Sequence, residues 1–182
     1  MSNAVQPIRS LIKIEQMKEE LLKNSQRDYF LFVFGINSGL RISDILPLKV
    51  KDVKNKDFIN VKEEKTKKDR RVIILKDLKV EIEKYIEGKK NDEYLFKNPR
   101  TKKPISKVQA WRILNAAAQK VGLDEIGSHS LRKTFGYWFY QRNRDLALIQ
   151  KILNHASPSD THRYIGLEED EIMAGYEKFG GL

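Results

Sequence analysis

The chain of 182 residues has no cysteine. Disulfides, zinc–thiolate centres and thiol nucleophiles are therefore excluded, and the composition suits a reducing cytosol. No apolar run approaches the ~20 residues of a membrane span, and the N-terminus lacks the apolar core of a signal peptide. Histidine is scarce, at three residues, and none stands in a metal-site spacing such as HExxH. Acid is in deficit: 35 Lys and Arg against 25 Asp and Glu leave a net charge of +10. So basic a domain points to a polyanionic partner, nucleic acid first. The length suits one well-cored domain and is short for two. Ser2, Asn3 and Ala4 look like the scar of a removed tag. Residues 1–7 are thus read as tag remnant or linker, and 8–182 as a single domain.

Apolar periodicity predicts a mostly helical chain. Residues 8–24 place Leu11, Ile14, Met17, Leu21 and Leu22 along one stripe. Residues 27–38 are apolar nearly throughout and read as a buried helix ended by Gly39. Residues 40–46 read as a short packed helix with Arg41 and Asp44 on one face. Residues 58–64 and 71–75 read as two strands of a hairpin whose tip, 65–70, is strongly basic. An amphipathic helix over 77–88 turns Leu78, Ile82, Tyr85 and Ile86 inward and ends at Gly88. Residues 97–112 carry six basic residues and no acid. Their first half, with Pro99 and Pro104, reads as a loop. Ser106 then caps a helix to about Lys120, with Val108, Trp111, Ile113, Leu114 and Ala117 available to pack. Further helices are expected from about His129 behind Ser128, over 145–153 behind Asp145 or Asn143, and from Ser157-Pro158 through Tyr164. The acidic tail beyond 168 keeps a narrow stripe of Ile172, Tyr176 and Phe179. The fold class is mostly α with a small antiparallel β-hairpin, an α+β arrangement.

All three histidines fall between residues 128 and 164. His129 and Arg132 lie one turn apart at the positive end of a helix, where an anion is favoured. Asn154 and His155 follow, and Tyr164 stands nine residues on. A phosphodiester under attack gathers negative charge on its oxygens, which cations and hydrogen-bond donors must meet. Guanidinium forks match phosphate oxygens. Tyrosine is a usable nucleophile because phenolate leaves more readily than an alkoxide, so the covalent link can be reversed. A lysine on a mobile hairpin could protonate the departing deoxyribose oxygen. Each residue alone has a plainer reading: an ion pair for Arg41, packing for Tyr164, a core or surface position for a histidine. The full set in one order carries the chemistry.

The segments Ser38-Gly-Leu-Arg41-Ile-Ser-Asp44-Ile-Leu46, Lys65-Thr66, His129-Ser-Leu-Arg132-Lys-Thr134 and Leu153-Asn-His155, with Tyr164, resemble the tyrosine recombinases, the phage integrase family. The resemblance covers roughly residues 10–180, the whole of that family's catalytic domain. It implies that Arg41 and Arg132 bind the scissile phosphate and that Lys65 is the general acid to the 5′ oxygen. His129 would be the base or proton partner, and His155 would hydrogen-bond the phosphate. Tyr164 would form a 3′-phosphotyrosyl link, and Asp44 would steady the pocket. Neither metal nor nucleotide cofactor is implied. The function expected is a site-specific DNA recombinase or integrase.

The partner implied is double-stranded DNA, with a monomer assembling to a tetramer on synapsed sites; the protein, bacterial or phage-encoded, would be cytoplasmic and nucleoid-associated. Lys67, Lys68, Arg70, Arg100, Lys102, Lys103, Lys107 and Arg112, from the two basic clusters, are the candidates for holding DNA. A helix over about 168–180 would dock on a neighbouring protomer or pack at home. Two departures stand out. Asn154 occupies a position where the family usually has glycine, and the N-terminal core-binding domain is missing. The chain is then either a catalytic fragment or a single-domain recombinase resembling the fimbrial invertases. A DNA-binding protein of the same fold without catalysis, and a type IB topoisomerase, are the competing readings.

Overall fold

The computed structural model describes residues 5–65, 67–124, 126–127 and 129–180. The expected tag scar at residues 2–4 and the expected cap at Ser128 lie outside them. Helix α1 (Leu11–Asn24) starts where the Ser10 side chain accepts the Lys13 amide, and α2 (Gln26–Ser38) where Ser25 accepts that of Arg27. A short turn of helix, α3 (Ile42–Ile45), precedes another, α4 (Val50–Val53), which periodicity does not foretell. Strands β1 (Phe58–Lys62) and β2 (Asp69–Ile73) pair antiparallel, Ile59 opposite Val72 and Val61 opposite Arg70. Helix α5 (Lys76–Ile86) follows, then α6 (Lys107–Lys120), whose capping box joins Ser106 and Gln109. Helices α7 (Ser130–Asn143), α8 (Leu146–Leu153), α9 (Pro158–Tyr164) and α10 (Leu167–Phe179) complete the chain. Asp145 caps α8, and Ser157 caps α9 with Pro158 in its first turn. Caps of this kind contribute about 1 kcal/mol each.

Helix α2 is the centre, packed against α1, α5 and α7. Its Phe30 stacks on Tyr85 at 4.1 Å between centroids and on Phe96 at 5.8 Å. Burial of such rings contributes about 1.5–3 kcal/mol each. A smaller apolar cluster of Ile149, Leu153, Ile165 and Leu167 joins α8, α9 and α10 beneath Phe135, Phe139 and Tyr164. Gly136 lets α7 lie close to it, since a Cβ there would sit 2.6 Å from Ile165 Cγ2. No helix among the described residues is long and apolar enough to cross a membrane.

A strap before α1 ties these parts together. Ile8 N donates to Thr134 Oγ1 at 2.9 Å, and Trp138 Nε1 donates to the Ile8 carbonyl at 2.9 Å. Ser130 Oγ donates to the Gln6 carbonyl. Arg9 reaches the Gly166 carbonyl at 3.0 Å and Asp170 Oδ1 at 2.6 Å.

Several expectations are corrected. Leu11 and Leu22 are exposed, and the buried stripe of α1 runs through Ile14, Met17 and Leu21. In α6, Val108 and Trp111 are exposed while Ala110, Leu114, Ala117 and Ala118 are buried. Small residues let that face approach α1 closely, so size misled the choice of packing residues. Arg41 is the N-cap of α3 rather than part of its face. Strand β1 ends two residues earlier than expected, and β2 both starts and ends two residues earlier, which puts Arg70 inside β2 instead of at the tip.

Candidate active site

Arg41, Lys65, His129, Arg132, His155 and Tyr164 all line one cleft of about 820 Å³, with Lys133, Asn154, Arg163, Asp160, Glu168 and Glu169. Five separate parts of the chain supply them. Gly39 ends α2 in the left-handed conformation, φ 61°, and turns the chain so that Arg41 enters the cleft. The loop after β1 presents Lys65, which is exposed. The first turn of α7 carries Arg132, and His129 stands just before it, exposed at the cleft. Asn154 takes φ 52° at the end of α8, the backbone shape that glycine would give, and so aims His155. The last residue of α9 is Tyr164.

Arg132 is fully buried and held by two carbonyls. Its Nη1 donates to Gly39 O at 2.6 Å and its Nη2 to Leu153 O. Burial, with Arg70 and Arg41 nearby, pulls its pKa down to about 10, so it stays cationic at neutral pH. The Tyr164 phenol shares the cleft with it. Burial raises the phenol above its usual range, and Arg132 and Arg41 oppose that rise. Tyr164 therefore rests protonated, with the cations placed to stabilise its anion. Its ring meets His155 edge to face at 4.7 Å, and Lys133 Nζ lies 5.2 Å from its centre.

His155 Nδ1 is 3.1 Å from Thr161 Oγ1, whose own proton goes to the Ser157 carbonyl. Burial, then Arg132 and Arg41, push His155 down to about 4. Partial desolvation and the charges of Lys133 and Arg41 lower His129 as well. Both imidazoles are thus neutral at neutral pH.

Asp44 is buried beside the cleft. Its Oδ1 accepts the Glu64 amide at 2.9 Å, while Oδ2 has no hydrogen bond among the described residues. One acid is absent from the set that the sequence suggests: Glu63, with no exposed surface, lies 2.9 Å from Arg41 and 3.2 Å from Arg70. Strand parity was the available signal, since Ile59, Val61 and Glu63 alternate onto the buried face. Lys133 was missed as well, because a lysine one residue after Arg132 carries no signal of its own.

The cations expected to hold DNA divide. Lys67, Lys68, Arg100, Lys102, Lys103, Lys107 and Arg112 are exposed. Lys107 pairs with Glu64 at 2.8 Å, which ties the start of α6 to the Lys65 loop. Arg70 points inward to Glu63 and is not a surface group. No cluster of three His, Cys, Asp or Glu among the described residues could hold a metal ion.

The phage integrase family profile matches residues 9–171. The chain is 62% identical over 178 residues to a probable integrase/recombinase, YoeC, of Bacillus subtilis (strain 168), covering 98% of each. It is 33% identical over 174 residues to the tyrosine recombinase XerA of Pyrococcus horikoshii, covering 93% of this chain and 61% of that one. It therefore spans about three-fifths of the length of such XerA relatives. Among solved structures, a XerA recombinase superposes with a TM-score of 0.76 at 23% identity, over 100% of this chain and 66% of that one. A lambda integrase, solved as a tetramer bound to a Holliday junction, gives 0.72 at 16% identity, over 90% and 49%. The fold is that of a tyrosine recombinase catalytic domain. With its motifs in one cleft and the family profile spanning nearly its whole length, the chain belongs to the phage integrase family, the site-specific recombinases for which its relatives are named.

Proposed function

We propose that this chain cuts and rejoins DNA strands through a covalent link between Tyr164 and a 3′ phosphate. The observation that carries the reading is a half-buried phenol beside a buried arginine, in a cleft with Arg41, Lys65 and both histidines. Arg41 and Arg132 take the two non-bridging oxygens of the scissile phosphate. The phenol oxygen attacks phosphorus, and neutral His129 accepts its proton. The bond to the 5′ oxygen breaks, and Lys65 gives that oxygen a proton. Rejoining runs the same transfers backwards, so no bond energy is lost. Phosphate entry adds negative charge beside His155, which raises its affinity for a proton and lets Nε2 donate. Asp44 holds the backbone of the Lys65 loop through the Glu64 amide.

The substrate is duplex DNA, laid across the exposed cations of the Lys65 loop and residues 100–112. Those cations, and a net charge of +10, support this. Synapsis as a tetramer, in the bacterial cytoplasm, follows from the same reading. Helix α10 leaves Ile172, Met173, Tyr176 and Phe179 between 54% and 75% exposed, an apolar stripe suited to a neighbouring protomer. The test is Tyr164→Phe on a nicked suicide duplex. Wild type should accumulate a covalent adduct that maps to Tyr164, and the variant should bind equally and form none. An adduct in the variant removes Tyr164 from this role.

A further inference from the structure

Among the described residues, Glu63 is the fully buried acid that touches several parts of the cleft, and the mechanism above gives it no task. It stands at the end of β1, two residues before Lys65. Its amide donates to the Lys68 carbonyl at 3.0 Å and its carbonyl accepts the Lys67 amide at 2.9 Å. The backbone of Glu63 thus closes the base of the loop that carries Lys65. Its carboxylate faces three other elements. Oε1 is 2.9 Å from Arg41 Nη1 at the start of α3 and 3.2 Å from Arg70 Nη1 in β2. Oε2 accepts from Asn154 Nδ2 at 3.4 Å, at the end of α8 beside His155.

Arginine guanidiniums crowd this region, and Arg41 and Arg70 each depress Arg132 while Glu63 opposes them. An unpaired buried charge is costly, so a carboxylate between two of them relieves the whole set. Its geometry toward the two differs. Arg70 donates a hydrogen bond to Glu63. Arg41 Nη1 lies within ion-pairing distance but misaligned, and makes no hydrogen bond among the described residues. Arg41 is therefore held by charge at a buried nitrogen, while its side chain lines the cleft.

We propose that Glu63 is a positioning residue: it neutralises Arg70, fixes Arg41 at the edge of the cleft, and anchors the Lys65 loop to the same point. This rests on the cleft being the scissile-phosphate site. Two measurements test it separately. In the DNA-free protein, Glu63→Gln removes an anion near the Arg41 and Arg132 guanidiniums that face Tyr164. The phenol titration, followed by the 13Cζ shift of Tyr164, should then move to lower pH. In single-turnover cleavage of the suicide duplex, Glu63→Gln should slow adduct formation by roughly tenfold or more without weakening DNA binding. Its rising pH–rate limb should move to lower pH. Removing one partner of a buried pair can unfold a protein, so Glu63→Gln with Arg70→Gln keeps the local charge balanced. That double variant should fold, cleave as slowly, and keep the wild-type pH limb. A folded variant lacking Glu63 that cleaves at the wild-type rate overturns the proposal. A phenol titration that moves in Glu63→Gln, while the wild type forms no adduct, instead sinks the phosphate reading of the cleft.

Discussion

Thr161 fixes the tautomer of His155. The hydroxyl spends its single proton on the Ser157 carbonyl at 3.1 Å, so at 3.1 Å it can only accept from Nδ1 of the imidazole. In the neutral ring Nε2 is then the bare nitrogen, facing a cleft of cations.

A pH dependence of stability follows. His155 is held at about 4 in the folded chain against an ordinary 6.5. Between those values the unfolded chain binds a proton that the folded one refuses, so stability rises with pH through the window. The contribution is complete above about 6.5 and is lost toward 4. Melting temperature should fall between pH 7 and 5 more steeply for wild type than for His155→Asn. Parallel curves would show that the imidazole titrates normally.

Gly136 tests how closely the α7 and α9 helices must approach. Alanine there would put a methyl 2.6 Å from Ile165 and 3.2 Å from Leu153 Cδ1. Overpacking of this kind costs about 1–3 kcal/mol, which is a few degrees of melting temperature for each kcal/mol at this size. Ile165 follows Tyr164 directly, so adduct formation should drop further than stability alone explains. A Gly136→Ala protein with wild-type melting and cleavage would show that the two helices have slack.

Arg70 and the lysine pair Lys102 and Lys103 should part company in a salt titration. Neutralising the exposed lysines should flatten the log–log salt dependence of DNA binding by about 0.9 for each phosphate they had neutralised. Arg70→Gln should leave that slope alone and lower stability, because its partner Glu63 is buried. Equal slopes for wild type and the lysine variant would place the duplex on another face.

Half of the ten helices described open on a cap written locally: Ser10, Ser25, Ser106, Asp145 and Ser157 each accept an amide of the turn they open. Arg41, Lys65, His129, Arg132, His155 and Tyr164 are legible as a group, since their order along the chain is a pattern. Their common cleft depends on Gly39 and Asn154, two residues at left-handed turns that mark helix ends. Glu63 and Arg70 mislead together. Both sit in a hairpin rich in charge, where composition suggests solvent, and only pairing across the strands puts them on one buried face. Trp111 misleads for a different reason: periodicity fixes a helix's faces, but a neighbour decides which is covered, and α1 takes the alanine side of α6.

The strap of residues 6–9 grips α7 through Ser130, Thr134 and Trp138, and the α9–α10 junction through the Gly166 carbonyl. Ser130 and Thr134 each lie two residues from Arg132, and Gly166 lies two residues from Tyr164. Tension on the polypeptide ahead of residue 6 must therefore either snap the stitches or drag both helices along. A disturbance of the strap therefore reaches both helices without entering the cleft.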